Sequence, residues 1–250
     1  MNPERLGISR RHIELQLLPR FLYPIKIDQS SEDIISSVRE KLKQTPKNVI
    51  IYFNHIAYGD PLFAAYIAKQ ITPTHSHLLI CPASYSHTDP DNPKNSTFSQ
   101  MVKEAERCGV EIHRVIQHYQ VDNPEFGYTK NQATEQNMKF MHRLKQLHQT
   151  AQPTICLISP EGHRSETGSL HETERGIEVI GNILSPVLYL PVGIIYPHGY
   201  DRNSINFGKT TSLIVGSPIQ VNRRSENVTV QHLMEHLALC LPTSMRGFYA

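Results

Sequence analysis

Cysteine is scarce in this chain of 250 residues: four, Cys81, Cys108, Cys156 and Cys240, stand far apart with no Cys-x-x-Cys pair among them. That spacing offers neither a zinc-ribbon ligand set nor a disulfide framework, so buried reduced thiols in a reducing compartment are expected. Long apolar runs are lacking too. No window approaches the roughly 18 to 20 apolar residues that a membrane-spanning helix needs, and the first residues hold no apolar leader. An excess of one charge is likewise missing, because 25 Lys and Arg against 23 Asp and Glu leave a formal net charge of +2. No global basic field argues for nucleic acid as a partner, while local basic patches for phosphate or an anionic membrane surface stay open. The expectation is a cytoplasmic protein, free or peripheral on a membrane.

Missing motifs narrow the chemistry further. There is no Gly-x-Ser-x-Gly elbow for a serine hydrolase. Neither a His-x-His-x-Asp-His cluster nor a His-Glu-x-x-His helix is found to hold a catalytic metal. Internal repeats and low-complexity tracts are absent as well, which makes a single domain the simplest organisation.

What is present is an ordinary folding composition, 39% hydrophobic and 19% charged, in a chain long enough to bury a sizeable core. Short apolar runs rich in β-branched residues alternate with helical patterns. That alternation implies an α/β domain with a mixed, mainly parallel sheet flanked by helices. Strands are expected over 48–53, 78–81, 111–116, 154–159, 187–196 and 213–221, and helices over 32–44, 61–70, 98–108, 129–149, 174–184 and 226–240. The domain would span 31–250. Residues 1–30 would form an extension packed on the domain or on a membrane surface, since Arg10 to Lys26 mixes basic with Leu, Phe and Tyr side chains.

Two segments carry the chemistry. In "NHIAYGDP", Asn54 to Pro61, a histidine and an aspartate follow an apolar strand. Asp60 reads as a helix N-cap with Pro61 at the first helical position. Position adds a second reading: ligands of α/β sheets bind just past the carboxyl ends of parallel strands. There a carboxylate can orient one imidazole nitrogen and leave the other to take a proton from a hydroxyl. About a hundred residues later "SPEGHRS", Ser159 to Ser165, leaves another buried strand. Gly162 lets backbone approach an anion, Arg164 offers a guanidinium fork for phosphate oxygens, and Glu161 can hold that fork or meet an acceptor hydroxyl.

Together these segments resemble the glycerolipid acyltransferase family, which includes glycerol-3-phosphate and lysophosphatidate acyltransferases. Asn54, His55 and Asp60 match its first motif; Pro160, Glu161, Gly162, Arg164 and Ser165 match its third. Gly109 and Arg114 in "GVEIHR" stand in order for the second, Pro191 in "LYLPVGII" fits the fourth, and Gly176 opens the helix after the third. The similarity covers roughly residues 48–195. Ala57 and His163 depart from the family's usual serine and threonine and leave the acceptor open.

The resemblance implies a glycerol-3-phosphate acyltransferase-like fold and transfer of a fatty acyl group from acyl-CoA or acyl carrier protein to a hydroxyl of a glycerol phosphate or lysophospholipid. His55 would be the general base and Asp60 its partner. Glu161, Gly162, Arg164, Ser165 and Arg114 would bind the phosphorylated acceptor. The oxyanion would be met near the start of the helix after Asp60 or by a loop amide. No metal and no cofactor beyond the thioester donor is implied. Two alternatives stand beside it: a metal-dependent hydrolase built on His75 and His77 with His113 or His118, and a non-catalytic acyl- or lipid-binding protein on the same scaffold.

Overall fold

The β-branched runs pair into one eight-stranded sheet. A computed structural model describes residues 24–45, 47–72, 77–88, 109–203, 208–223 and 228–250, with isolated positions between them. Its strands are β1 (Ile25–Ile27), β2 (Asn48–Phe53), β3 (Leu78–Ser84), β4 (Val110–Val115), β5 (Thr154–Ile158), β6 (Val187–Ile195), β7 (Thr211–Val215) and β8 (Ile219–Val221). The main helices are α1 (Gln29–Gln44), α2 (Asp60–Ile71), α3 (Lys130–Gln149), α4 (Gly176–Leu184) and α5 (Val230–Leu239). Along the sheet the order is β1-β7-β6-β2-β5-β3-β4, with β8 also on β6. The run from β6 to β4 is parallel, and β7 and β8 pair antiparallel with β6. The fold is therefore α/β, with a mixed, mostly parallel sheet.

Both faces of the sheet are covered, which is why its central strands are apolar at nearly every position rather than alternating. Val49, Ile51 and Phe53 of β2 pack under α1 and α2 against Ile35, Val38, Phe63 and Ile67. Ile50 and Tyr52 turn to the opposite face and meet α3, α4 and α5 through Phe140, Ile177 and Leu237. The buried stripe of α3 is Ala133, Phe140, Leu144 and Leu147, whereas Met138 faces solvent.

Helix starts follow their caps. Asp28 accepts from the Ser31 amide and starts α1 at Gln29, three residues before the expected start at 32. Thr129 and Gln132 form a capping box that starts α3, and Thr229 caps α5 four residues inside the expected 226–240.

Strand ends shift where proline and glycine intervene. Strand β3 runs on to Ser84, beyond the expected 78–81. Past Ile80 only β4 flanks it among the described residues, and a side without a partner strand there tolerates Pro82, which has no N–H to give. The single strand expected over 213–221 is two. Between the pairs Val215 with Val192 and Ile219 with Tyr189, three residues oppose two, a bulge centred on Gly216 to Pro218. A Cβ on Gly216 would lie 2.6 Å from Cys240 Sγ, so the close approach requires glycine.

The expected extension over 1–30, with its basic segment, falls largely outside the described residues; from Pro24 onward the chain joins the sheet through β1. The helix expected over 98–108 also lies mostly outside them. No helix among the described residues is long and apolar enough to cross a membrane. The consequence for function is positional: β6, β2 and β5 are parallel neighbours, so the loops leaving their carboxyl ends emerge side by side.

Candidate active site

Strand β2 hands over to its loop at a buried asparagine. The Asn54 side chain donates to Ile194 O at 2.9 Å and accepts from Ile194 N at 2.7 Å, so an amide side chain extends the pairing with β6 by one step. The next residue, His55, is fixed through its backbone. Its N–H donates to Glu161 Oε2 at 2.7 Å, and its carbonyl accepts from the Ser165 N–H at 2.7 Å. Both partners belong to the loop after β5. The two sequence motifs are thus stitched to each other at the histidine.

The ring of His55 meets Asp60, with Nδ1 2.9 Å from Oδ2. Asp60 is fully buried, and every contact to its carboxylate comes from a donor. Oδ2 also accepts from the Ile56 and Ala57 amides at 2.5 and 2.8 Å, and Oδ1 accepts from the Tyr196 hydroxyl at 2.6 Å. An acceptor-only carboxylate requires the proton on His55 Nδ1, which leaves the Nε2 lone pair as the basic site. No partner occupies Nε2 among the described residues, and the ring is 22% exposed.

Asp60 is not the helix N-cap. Gly59 holds that position without a side-chain bond, and Asp60 is the first residue of α2 with Pro61 behind it. Its oxygens are drawn back to the loop amides and His55 instead of capping the helix. The same bonding commits the amides of His55, Ile56 and Ala57, while the Asp60 N–H goes to Ala57 O and Pro61 has none. None of these is left over to serve as an oxyanion donor.

In the second loop Gly162 adopts φ +74°, the left-handed region that favours glycine, and its carbonyl accepts from the Gln117 side chain. Glu161 is buried, and its second oxygen lies 2.9 Å from Nδ1 of His171, close but out of line for a good hydrogen bond. His171 stacks on His163 with ring centroids 4.2 Å apart, and Tyr119 meets His163 edge-on. Glu161 raises the pKa of His171 above 6.5, while burial and then the His171 charge lower that of His163. The signs are opposite. A raised histidine stabilises the fold below about pH 6.5 and loses that contribution as pH rises through its folded value; a lowered one does the reverse. Replacing His171 by glutamine should therefore lower the melting temperature more at about pH 6 than at about pH 8.5. Equal losses at both would show that the Glu161 contact carries no protonation-dependent stability.

Arg164 is laid over the Tyr58 ring, its guanidinium carbon 3.9 Å from the centroid. Nη1 donates to Arg202 O and Asn203 Oδ1 at 2.8 and 2.9 Å, and Nη2 to the Tyr58 hydroxyl at 3.2 Å. Every one of these partners is neutral, and no carboxylate pairs with Arg164 among the described residues. Ser165 is buried, with its hydroxyl on Ser169 O at 2.7 Å, so it braces the loop.

His55, Asp60, Glu161, Gly162, Arg164 and Ser165 therefore lie in one cluster. Glu161 holds His55 and His171 and makes no bond to Arg164. Arg114 makes no hydrogen bond to these residues among the described ones: it is exposed on β4, an edge strand, with β5 and β3 between that strand and β2, while Gln117 just past β4 reaches the Gly162 carbonyl. Tyr58, Gln117, His171, Tyr196 and Arg202 were not singled out from the sequence. The available signal was positional for Tyr196, one residue past the end of a strand next to β2, and for Tyr58, inside the first motif.

Two histidines of the metal alternative, His77 and His113, are engaged elsewhere. His77 Nε2 lies 3.0 Å from Lys47 O, and His113 Nε2 lies 2.6 Å from Glu111; His75 is outside the described residues. Among the described residues no three His, Cys, Asp or Glu side chains form a group that could hold a metal ion. A scan against protein-family models and a search of the curated proteins both returned no match to this chain.

Proposed function

We propose that the protein is an O-acyltransferase of the glycerolipid type, moving a fatty acyl group from a thioester, acyl-CoA or acyl carrier protein, to a hydroxyl of a glycerol phosphate or lysophospholipid. The observation that carries this reading is the buried Asp60 oriented onto His55 Nδ1, on a loop hydrogen-bonded to the one that presents Arg164. In the proposed reaction His55 Nε2 takes the acceptor's hydroxyl proton as its oxygen attacks the thioester carbonyl. Collapse of the tetrahedral intermediate expels the thiolate, which takes the proton back from the imidazolium and leaves as the thiol. No covalent enzyme intermediate is needed. With the helix-start amides committed, the second loop is the better source of oxyanion donors. Arg164, a cation with only neutral partners, would bind the acceptor phosphate. A glycerol-3-phosphate acyltransferase-like fold in one domain, acting in the cytoplasm at a membrane surface where its lipid substrates reside, belongs to the same proposal.

The test is thiol release from acyl-CoA and acyl carrier protein donors with glycerol-3-phosphate, lysophosphatidate or a non-phosphorylated alcohol as acceptor. Release that depends on a phosphorylated acceptor is expected; no acceptor-dependent release with any of them would overturn the proposal. Arg164→Ala should raise the acceptor KM about 10- to 100-fold, the size of a lost charge-assisted contact of about 1.5 to 3 kcal/mol. A fall in kcat at unchanged KM would remove Arg164 from phosphate binding.

A further inference from the structure

We infer that Arg202 is the second arm of an anion site shared with Arg164, and that the pair selects a phosphate monoester over a diester. The inference rests on the proposed phosphorylated acceptor and adds which kind of phosphate is bound. Three observations lead to it.

The two arginines clasp each other through neutral backbone groups. Arg164 Nη1 donates to Arg202 O at 2.8 Å, and Arg202 Nη2 reaches Arg164 O at 3.4 Å, a longer and weaker contact. Each guanidinium is thereby held against the backbone of the other residue, which ties together the two segments that carry these cations.

Neither has a counter-charge. No carboxylate pairs with Arg164 or Arg202 among the described residues. The nearest acid in sequence, Asp201, turns its carboxylate to the Asn203 amide at 2.8 Å. Arg202 Nε is buried with no hydrogen-bond partner, so this nitrogen has given up water without receiving an acceptor. Buried polar groups of this kind are rare and mark a place where a partner is missing.

The segment is also anchored to the proposed base. Tyr196 bonds Asp60, and the ring of Tyr200 stacks on that of Tyr196 with centroids 5.2 Å apart, leading the chain directly to Arg202. A phosphate monoester carries close to two negative charges at neutral pH and three terminal oxygens, which two guanidinium forks can share. A diester carries one charge, and its second substituent occupies one of those oxygens. Glycerol-3-phosphate and lysophosphatidate are monoesters, whereas a lysophospholipid with an alcohol headgroup is a diester.

The deciding measurement is titration calorimetry on the full chain with glycerol-3-phosphate and with glycerophosphoethanolamine, a diester of the same glycerol phosphate. The wild-type protein should bind the monoester at least about tenfold more tightly, and Arg202→Gln should bring the two within about threefold. Arg202→Lys, which keeps the charge and loses the fork, should retain an intermediate preference. Melting curves identify any variant that fails to fold, and the wild-type comparison stands without the variants. Equal wild-type affinities, or a preference unchanged in folded Arg202→Gln, would overturn the inference. A monoester preference without thiol release would instead overturn the acyltransferase reading and leave the anion site standing. A merely structural role for Arg202 predicts weaker binding of both ligands with their ratio intact.

Discussion

Replacing His55 by alanine should lower thiol release from an acyl thioester by about 10²- to 10⁴-fold, the range a general base supplies. The fold should survive the change. The side chain makes one hydrogen bond, to Asp60, while the bonds that fix this position in the loop run through its backbone N–H and carbonyl, which alanine retains. Three donors remain on the Asp60 carboxylate. Melting curves and acceptor-dependent thiol release on one preparation separate the two effects. A variant that melts like the wild type and turns over at the wild-type rate would remove His55 from the reaction.

Asp60 should behave differently, because it serves the fold and the proposed base at once. Asp60→Ala removes the acceptor for four donors, two of them main-chain amides, in a fully buried position. Each stranded donor costs about 1 to 3 kcal/mol, and with partial relaxation the total should reach about 3 to 5 kcal/mol. At this chain length that corresponds to a melting temperature lower by about 6 to 20 °C. Asp60→Asn keeps the shape and one carbonyl oxygen. It should lose far less stability but lower turnover towards that of His55→Ala, since a neutral amide cannot stabilise the imidazolium. Wild-type turnover in Asp60→Asn would show that the carboxylate only shapes the loop.

The strands were legible because buried parallel strands are apolar at every position, and NVIIYF and TICLIS announce themselves that way. Their neighbours were not. Nothing local to Val49 says that Ile155, more than a hundred residues on, lies beside it, or that β4 ends at the far edge. Arg114 is grouped with the site by its place in the second motif, and nothing local shows that its strand lies at the edge of the sheet. Asp60 shows the converse limit. A short acidic residue before proline has the look of a cap, and only the fold of the loop reveals that three amino acids upstream compete for its oxygens. Arg202 carries no pattern at all, because its meaning lies in the lack of a carboxylate paired with it among the described residues.

His55 has its N–H and its carbonyl both bonded to the loop after β5, across a separation of 106 residues for the first of these bonds. A nascent chain can start α2 from local contacts, yet β2 lacks its sheet partners and the histidine has no fixed position until β5 has docked and its loop has closed over it. Contacts so distant in sequence form late, after the closure entropy of the intervening chain has been overcome. The proposed base is thus assembled late, and a partly folded chain carries every residue of the first motif without the geometry around it.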